Sequence, residues 1–330
     1  MEIYERGNKE EESGGGSRLT DSMEIIRRLN RIKEKCKKGV LTIGAFDGVH
    51  KGHQEIIKYA LNRARSIKRK GIVLTLYPHP LEFFGSKGQS ITTLEEKIEL
   101  IEDLGVDVLV VLKFNKKLVL LSPWQFIKKI LLRFTPCEIV IGSNHTFGRG
   151  GKGRVSLLKK AGKIYNFKVT VINLKKVSGS YINSTGIRTL IRQGNVEKAK
   201  AQLGRYFSLT GKVVKGKGRG KILGFPTSNL KILPSKILPK NGVYSGYIWR
   251  TRKKHRGIVN VGYCPTFGEK LKHPRVEVFI PGFKDKLYGS TLKVEFMNRV
   301  RDERKFNSTE ALSLQIKKDI LKTEKEARWL

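Results

Sequence analysis

The sequence is short of acidic residues, cysteine and long apolar runs. Only 29 of its 330 residues are Asp or Glu, against 67 Lys and Arg. Its three cysteines, Cys36, Cys137 and Cys264, are odd in number and far apart. That excludes a disulfide framework and suits a reducing cytoplasm. No apolar run approaches the roughly 18 residues of a membrane helix, and no signal-peptide pattern opens the chain. A soluble, cytoplasmic protein without a membrane partner is expected. Hydrophobic residues at 39% and ten prolines fit a globular chain, and the length leaves room for two domains. The formal net charge of +38 divides evenly between residues 1–204 and 205–330. There is no basic tail and no recognisable nucleic-acid module, so no specific nucleic-acid partner is expected. Anionic substrates explain a local positive site but not so large an excess. A generally Lys-rich proteome or a high-temperature habit explains it better, with incidental nucleic-acid adhesion at low salt.

What is present is organised around Leu41 to His53. Val40 to Ile43 reads as a short buried strand, broken into a tight turn by Gly44 and Gly48. A helix follows from about Gln54, with Ile56, Ile57, Ala60, Leu61, Ala64 and Ile67 on one face. A strand feeding a glycine turn and a helix N-terminus forms a cradle for phosphate, because unpaired amides and the positive dipole end both favour an anion. His50 and His53 point to one side of that turn and can donate to phosphate oxygens. The blander readings are two surface histidines, or half of a metal site that lacks further ligands. No Lys occupies a Walker-type position, so this is not a P-loop.

Residues 1–22, with Glu10 to Glu12 beside Gly14 to Gly16, read as a flexible leader. Residues 23–37, with Met23, Ile25, Ile26, Leu29 and Ile32, predict a helix. Strands are then expected at 72–76, 106–112, 138–141 and 167–172. Helices lie between them, including a capping box at Thr93 and Glu96 and another at Ser122 and Gln125, with Pro123 in the first turn. A helix is expected at 155–165. This alternation implies a doubly wound parallel sheet whose ligands sit at the carboxyl ends of its strands. His50, His53, the Tyr77 to Pro80 segment and the Gly142 to Gly148 loop all leave such ends. Two short helices (185–193 and 195–203) follow. The pattern then changes to strands at 209–214, 226–230, 243–249, 257–261, 275–280 and 291–297, which reads as an antiparallel barrel closed by a helix from about 308 to 328. The expected division is a leader at 1–22, a parallel-sheet domain at 23–203 and a barrel domain at 204–330.

A second constellation lies in the barrel. Lys215 to Gly220 is a basic glycine loop, and Leu223 to Asn229 reads Leu-Gly-Phe-Pro-Thr-Ser-Asn. Glycines permit close backbone approach to phosphates, although a solvated turn has the same composition. Thr227 and Asn229 alternate along a strand, so two oxygen ligands face one way and suit Mg²⁺. Glu277 lies on an alternating strand and by itself reads as a surface charge.

Gly44, Phe46, Asp47, Gly48, His50, Gly52 and His53 together resemble the HxGH signature of the nucleotidyltransferase superfamily, in the form used by bacterial FAD synthetases. Gly224, Pro226, Thr227, Ser228 and Asn229 resemble the signature of riboflavin kinases, with Ser228 in place of alanine. Further likenesses run through Ile91 to Thr93, Gly105 to Asp107, Phe147 and Gly148, Ser184 to Arg188, Leu238 to Tyr244, Asn260 to Gly262, Pro265 to Phe267, Val276 to Val278 and Leu287 to Gly289, as far as Gln315. The resemblance covers about residues 38–325. Asn183 and His145 depart from the usual pattern.

The resemblance implies a bifunctional flavin-cofactor enzyme. Its barrel would phosphorylate riboflavin from ATP to give FMN, and its first domain would adenylylate FMN with a second ATP to give FAD. It also implies roles for individual residues. His50, His53 and Arg188 would stabilise charge during adenylyl transfer. Glu277 would be the kinase base, and Thr227 and Asn229 the Mg²⁺ ligands. Nucleotide contacts would fall on Gly44, Phe46, Asp47, Gly48, Gly52, Asn144, Ser184, Thr185, Gly218, Gly220, Gly224 and Pro226. Two rivals bound this reading: an enzyme with one inactive half, which intact His50, His53 and Arg188 oppose, and a non-enzymatic nucleic-acid binder, which the evenly spread charge opposes.

Overall fold

The short β-branched runs that read as buried strands do pair side by side. In a computed structural model, which describes residues 22–86, 90–173, 176–177, 179–216, 224–263, 274–283 and 285–327, six of them form one sheet. These are β1 (Glu24–Ile26), β2 (Val40–Ile43), β3 (Gly71–Tyr77), β4 (Val108–Lys113), β5 (Glu138–Gly142) and β6 (Lys168–Ile172). Their order is β1-β4-β3-β2-β5-β6, and every neighbouring pair is parallel. The crossovers run through α1 (Lys51–Ser66), α2 (Pro80–Phe83), α3 (Leu94–Glu102), α4 (Lys116–Val119), α5 (Pro123–Lys129) and α6 (Val155–Tyr165). The chain leaves β2 toward β3 on one side and later returns to place β5 on the other. The carboxyl ends of β2 and β5 therefore flank the switch point where such sheets bind ligands.

Local chemistry accounts for the helix starts. Thr93 and Ser122 each accept from the backbone of the third helical residue, Glu96 or Gln125, whose side chain accepts in return from the cap backbone. The expected helix over 23–37 does not form. Its place is taken by β1 and two short 3₁₀ turns at Leu29–Arg31 and Glu34–Cys36. Backbone pairing decides this: Glu24 to Ile26 register with Val108 to Val110 and extend the sheet at its edge. Ile26 is buried there while Ile25 is 40% exposed, the alternation of a strand. The helix after the glycine turn starts at Lys51 rather than Gln54.

A small antiparallel pair, β7 (Lys176–Val177) with β8 (Ser180–Tyr181), precedes α7 (Ser184–Arg192) and α8 (Val196–Leu203). The six remaining strands are β9 (Phe207–Val214), β10 (Thr227–Lys231), β11 (Gly242–Arg250), β12 (Lys253–Gly262), β13 (Arg275–Phe279) and β14 (Thr291–Arg301). They close into an antiparallel barrel in the order β10-β13-β12-β11-β14-β9, and α9 (Thr309–Ala327) ends the described chain. Alternation fills the barrel with Leu209, Val213, Val259, Val261, Val276, Val278, Val294 and Phe296. That core does not stop at the barrel wall. Ile91, Ile182, Ile187, Ile191 and Leu203 belong to the same buried cluster, so the parallel-sheet half and the barrel share apolar packing.

Candidate functional site

The turn after β2 is strained and tightly held. Phe46, Gly48 and Val49 have φ of +46°, +81° and +37°. Glycine adopts that region freely, but a β-branched valine there costs about 1–3 kcal/mol and persists only where its surroundings enforce it. Here Phe46 and Val49 are both buried. The Gly48 amide donates to Thr92 Oγ1 at 3.1 Å and the Val49 amide to the Phe46 carbonyl at 3.2 Å. A Cβ on Gly44 would stand 3.0 Å from the Phe46 ring, so the turn is closed against side chains there as well.

His50 caps α1: its Nδ1 accepts from the His53 amide at 3.3 Å. The two imidazoles stack with centroids 3.5 Å apart and planes 20° from parallel. The edge of Phe46 meets His53 at 5.2 Å. Burial, more than the opposing attraction of Asp47, pulls the His50 pKa down to about 4. Burial, then His50, Lys97 and Arg188, hold His53 well below the ordinary range. Both rings are therefore neutral at pH 7. Because His50 Nδ1 is an acceptor, its proton sits on Nε2, which becomes a donor. His53 Nδ1 is buried with no hydrogen-bond partner among the described residues. At the N-terminus of α1 the helix dipole opposes a cation and favours an anion, in keeping with rings that stay uncharged.

Asp47 faces inward. Its carboxylate accepts from the Ile91 and Thr92 amides at 3.0 to 3.1 Å and from Thr92 Oγ1 at 3.2 Å, and pairs with Arg188 Nη2 at 2.7 Å. Burial raises its pKa, but His79, Arg188, Lys97 and the Ile91 amide outweigh that and leave it below the usual value. Asp47 thus fixes Arg188, itself buried, beside the histidine turn. Ser184 Oγ donates to the Asp47 carbonyl at 3.0 Å, Thr185 is exposed one residue on, and Asn183 caps α7 by accepting from the Gly186 amide at 2.8 Å. The Asn183 departure therefore preserves a cap. Gly52 lies in the first turn of α1. Asn144 is exposed in the turn after β5, across the switch point from β2. The structure thus brings Gly44 to His53, Ser184 and Arg188 into one site, with Asn144 at the neighbouring strand end.

Sequence reasoning passed over two residues here. His79, in the Tyr77 to Pro80 segment, has its Nε2 3.5 Å from Arg188 Nη2, and burial pulls its pKa to about 4. Lys97 is buried in α3 and donates from Nζ to the Ala45 carbonyl at 2.7 Å; burial takes its pKa to about 8. The first had a signal, its place after a parallel strand. The second had none, being one Lys in a chain full of them.

In the barrel, β10 pairs with β13 so that Asn229 lies opposite Glu277, which on its other side lies opposite Asn260 of β12. The residues between them along the strands, Leu230, Val276 and Val278, fill the interior. By alternation Thr227, Asn229 and Glu277 stand on the outer face. Gly216 makes room for Asn229: a Cβ there would meet Asn229 Nδ2 at 2.2 Å. A cavity of about 360 Å³ lies beside them, lined by Val214, Lys215, Gly216, Asn229, Leu230 and Arg275. Gly224 has φ +78° and precedes Pro226. Gly218, Gly220, Cys264 and the Pro265 to Phe267 segment lie outside the described residues, as do residues 1–21.

A histidine turn at the switch point of a parallel sheet, joined to a barrel bearing Thr, Asn and Glu on its outer face, defines a two-domain transferase that handles nucleotides. The family model for FAD synthetase matches residues 32–186, and that for riboflavin kinase matches residues 203–327. A bifunctional riboflavin kinase/FMN adenylyltransferase of Bacillus subtilis (strain 168) is 39% identical over 297 residues, 87% of this chain and 92% of the relative. Enzymes of the same description are similar at 36% in Buchnera aphidicola from Acyrthosiphon pisum (92% of this chain, 98% of the relative) and at 31% in Escherichia coli K12 (91% and 96%). The fold is similar to a solved Streptococcus pneumoniae protein described as a macrolide-efflux protein, with TM-score 0.81 and 30% identity over 92% of this chain and 99% of that one. Among the described residues no helix is long and apolar enough to cross a membrane. The chain belongs to the bifunctional riboflavin kinase/FMN adenylyltransferase family.

Proposed function

We infer that the chain makes FAD from riboflavin in two ATP-dependent steps carried out at two separate sites. We place the division between them at Leu203 and Gly204, with residues 23–203 carrying adenylyl transfer, 204–330 carrying the kinase and 1–22 as a leader. A cytoplasmic setting and small-molecule substrates, riboflavin, FMN and ATP, belong to this reading; nucleic acid does not.

In the kinase step the riboflavin hydroxyl forms a bond to the γ-phosphorus of ATP as the bond to the β-phosphate oxygen breaks. Glu277 takes the hydroxyl proton and ADP leaves. Thr227 and Asn229 fit Mg²⁺: both offer neutral oxygens, the donor type of a hard cation, and the missing Cβ of Gly216 leaves room for Asn229. The pair carries no charge, which suits an ion held mainly by ATP phosphates. Bound with ATP, Mg²⁺ supplies charge neutralisation at the transferring phosphates. Nucleotide contacts in this step are assigned to Gly218, Gly220, Gly224 and Pro226. A second cavity of about 360 Å³, walled by Ile258, Ile280, Pro281 and Met297 and edged by Lys254 and Arg256, runs from Ile258 back along β12 and past the end of β13, and would seat a flat apolar ring.

In adenylyl transfer an FMN phosphate oxygen forms a bond to the α-phosphorus of ATP, and pyrophosphate leaves. No covalent enzyme intermediate is needed, so the task is alignment and charge stabilisation. The stacked His50 and His53 at the N-terminus of α1 are the observation that carries this reading. Arg188, held by Asp47, adds charge. Gly44, Phe46, Gly48 and Gly52 shape the turn, while Asn144, Ser184 and Thr185 stand where nucleotide contacts would fall. The test separates the sites. Glu277→Gln should lose about 10²–10⁴-fold in riboflavin phosphorylation and keep adenylylation of supplied FMN. A parental phosphorylation rate would remove Glu277 as the base.

A further inference from the structure

The strained turn after β2 is gripped from outside the parallel-sheet half. Arg205, in the segment joining α8 to β9, donates from Nη2 to the Gly48 carbonyl at 2.8 Å and from Nη1 to the Val49 carbonyl at 3.5 Å. Gln54 Nε2 donates to the same Val49 carbonyl at 2.8 Å and to the Leu203 carbonyl at 3.0 Å. The carbonyl of Val49, the β-branched residue at φ +37°, is thereby held by Arg205 from beyond α8 and by Gln54, which also reaches the last residue of α8. The peptide unit is planar, so a carbonyl held on one side sends the next amide to the other. Fixing the Gly48 and Val49 carbonyls sets the peptide that leads into His50, whose Nδ1 must meet the His53 amide.

The opposite side of the turn rests on the barrel too. Buried Lys236, between β10 and β11, pairs with Glu96. Glu96 also accepts from Thr210 Oγ1 at 3.2 Å and from the Thr93 amide at 2.9 Å. The adjacent Thr92 holds both Asp47 and the Gly48 amide. The turn therefore sits between two anchors, and Arg205 is the one that touches its strained carbonyls.

We propose that Arg205 is a positioning residue for adenylyl transfer: its guanidinium holds the Gly48 and Val49 carbonyls so that the turn presents His50 and His53 to the reacting phosphates. This rests on the adenylyl-transfer reading of that turn. Arg205 acts through the backbone, so its loss misplaces the donors without removing them. The effect belongs in kcat for FAD formation, with nucleotide binding and the kinase site little changed.

The experiment uses the full chain with Arg205→Met, Arg205→Ala and Arg205→Lys. FAD formation from FMN and ATP, riboflavin phosphorylation and Tm are measured on the same preparations. Arg205→Met should lower kcat for FAD formation about 10–100-fold, because an ångström of misplacement costs about 10²-fold. KM for ATP should move less than about threefold and riboflavin phosphorylation less than about twofold. Arg205→Lys should recover part of the rate, and added guanidinium ion at non-denaturing concentration should restore part of it to Arg205→Ala. A parental kcat in Arg205→Met overturns the proposal. So does a parallel fall in both activities and in Tm without rescue, which would make Arg205 merely structural. A parental chain that forms no FAD from FMN and ATP would instead sink the reading of the site itself, and the proposal with it.

Discussion

Replacing Asp47 with Asn changes one atom and removes one charge at the most enclosed point of the first site. The carboxylate accepts two amides and a hydroxyl and pairs with Arg188 at 2.7 Å, both partners being buried. An amide keeps the shape but offers one acceptor oxygen and leaves the guanidinium without its counter-charge. Breaking a buried pair by removing one partner costs about 3–5 kcal/mol. At about 2–4 °C per kcal/mol for a domain of this size, the expected loss in Tm at pH 7 is about 6–20 °C. The pH dependence has a definite sign. The folded Asp47 carboxyl is held below its ordinary value, so its contribution is complete above the unfolded pKa of about 3.9 and is lost as pH falls through the folded value. The difference between parent and Asp47→Asn should be constant from about pH 5 upward and shrink below about pH 4. Scanning calorimetry across that range measures it, with FMN adenylylation assayed at a temperature where both forms are folded. Adenylylation should fall at least about tenfold, because Arg188 is no longer fixed. An equal Tm at pH 7, or a difference that does not diminish in acid, would refute the claim that this ion pair holds the site.

Other expectations are more local. His53→Asn keeps a donor of similar reach and should retain more FMN adenylylation than His53→Ala, which should lose about 10²–10³-fold; equal, near-parental rates would reduce the turn to a connection. Burial keeps the His50 pKa near 4 and holds His53 well below its ordinary value, so kcat/KM for FMN adenylylation should show no histidine titration between about pH 5.5 and 7.5. A limb in that window would show that a ring is charged in the free enzyme. Thr227→Ala should weaken Mg²⁺–ATP binding in the kinase, with part of the defect recovered at high Mg²⁺; no recovery would point to a folding role.

Much of this molecule was legible from one sequence because its signals are local. Val40 to Ile43 followed by Gly44 and Gly48 could only be a buried strand entering a turn. Thr93 with Glu96, and Ser122 with Pro123 and Gln125, announced their helices through side chains three residues apart. Alternation from Leu209 onward gave the barrel. What failed was β1: Met23, Ile26 and Leu29 carry a helical spacing, and only the free edge of β4, more than 80 residues later, makes a strand of Glu24 to Ile26. What was invisible depends on distant pairing. The Asp47–Arg188 and Glu96–Lys236 contacts join residues 141 and 140 positions apart. No spacing rule reveals that Asp47 faces Arg188, or that an arginine beyond α8 holds the turn beyond β2.

The central claim, two sites in one chain that transfer groups from ATP to a flavin, is tested most directly by incubating the purified protein with riboflavin, ATP and Mg²⁺ and separating the flavins chromatographically over time. The account predicts that FMN appears first and FAD follows at its expense, with FAD also formed when FMN replaces riboflavin. Riboflavin recovered unchanged, or FMN that never proceeds to FAD, would contradict it.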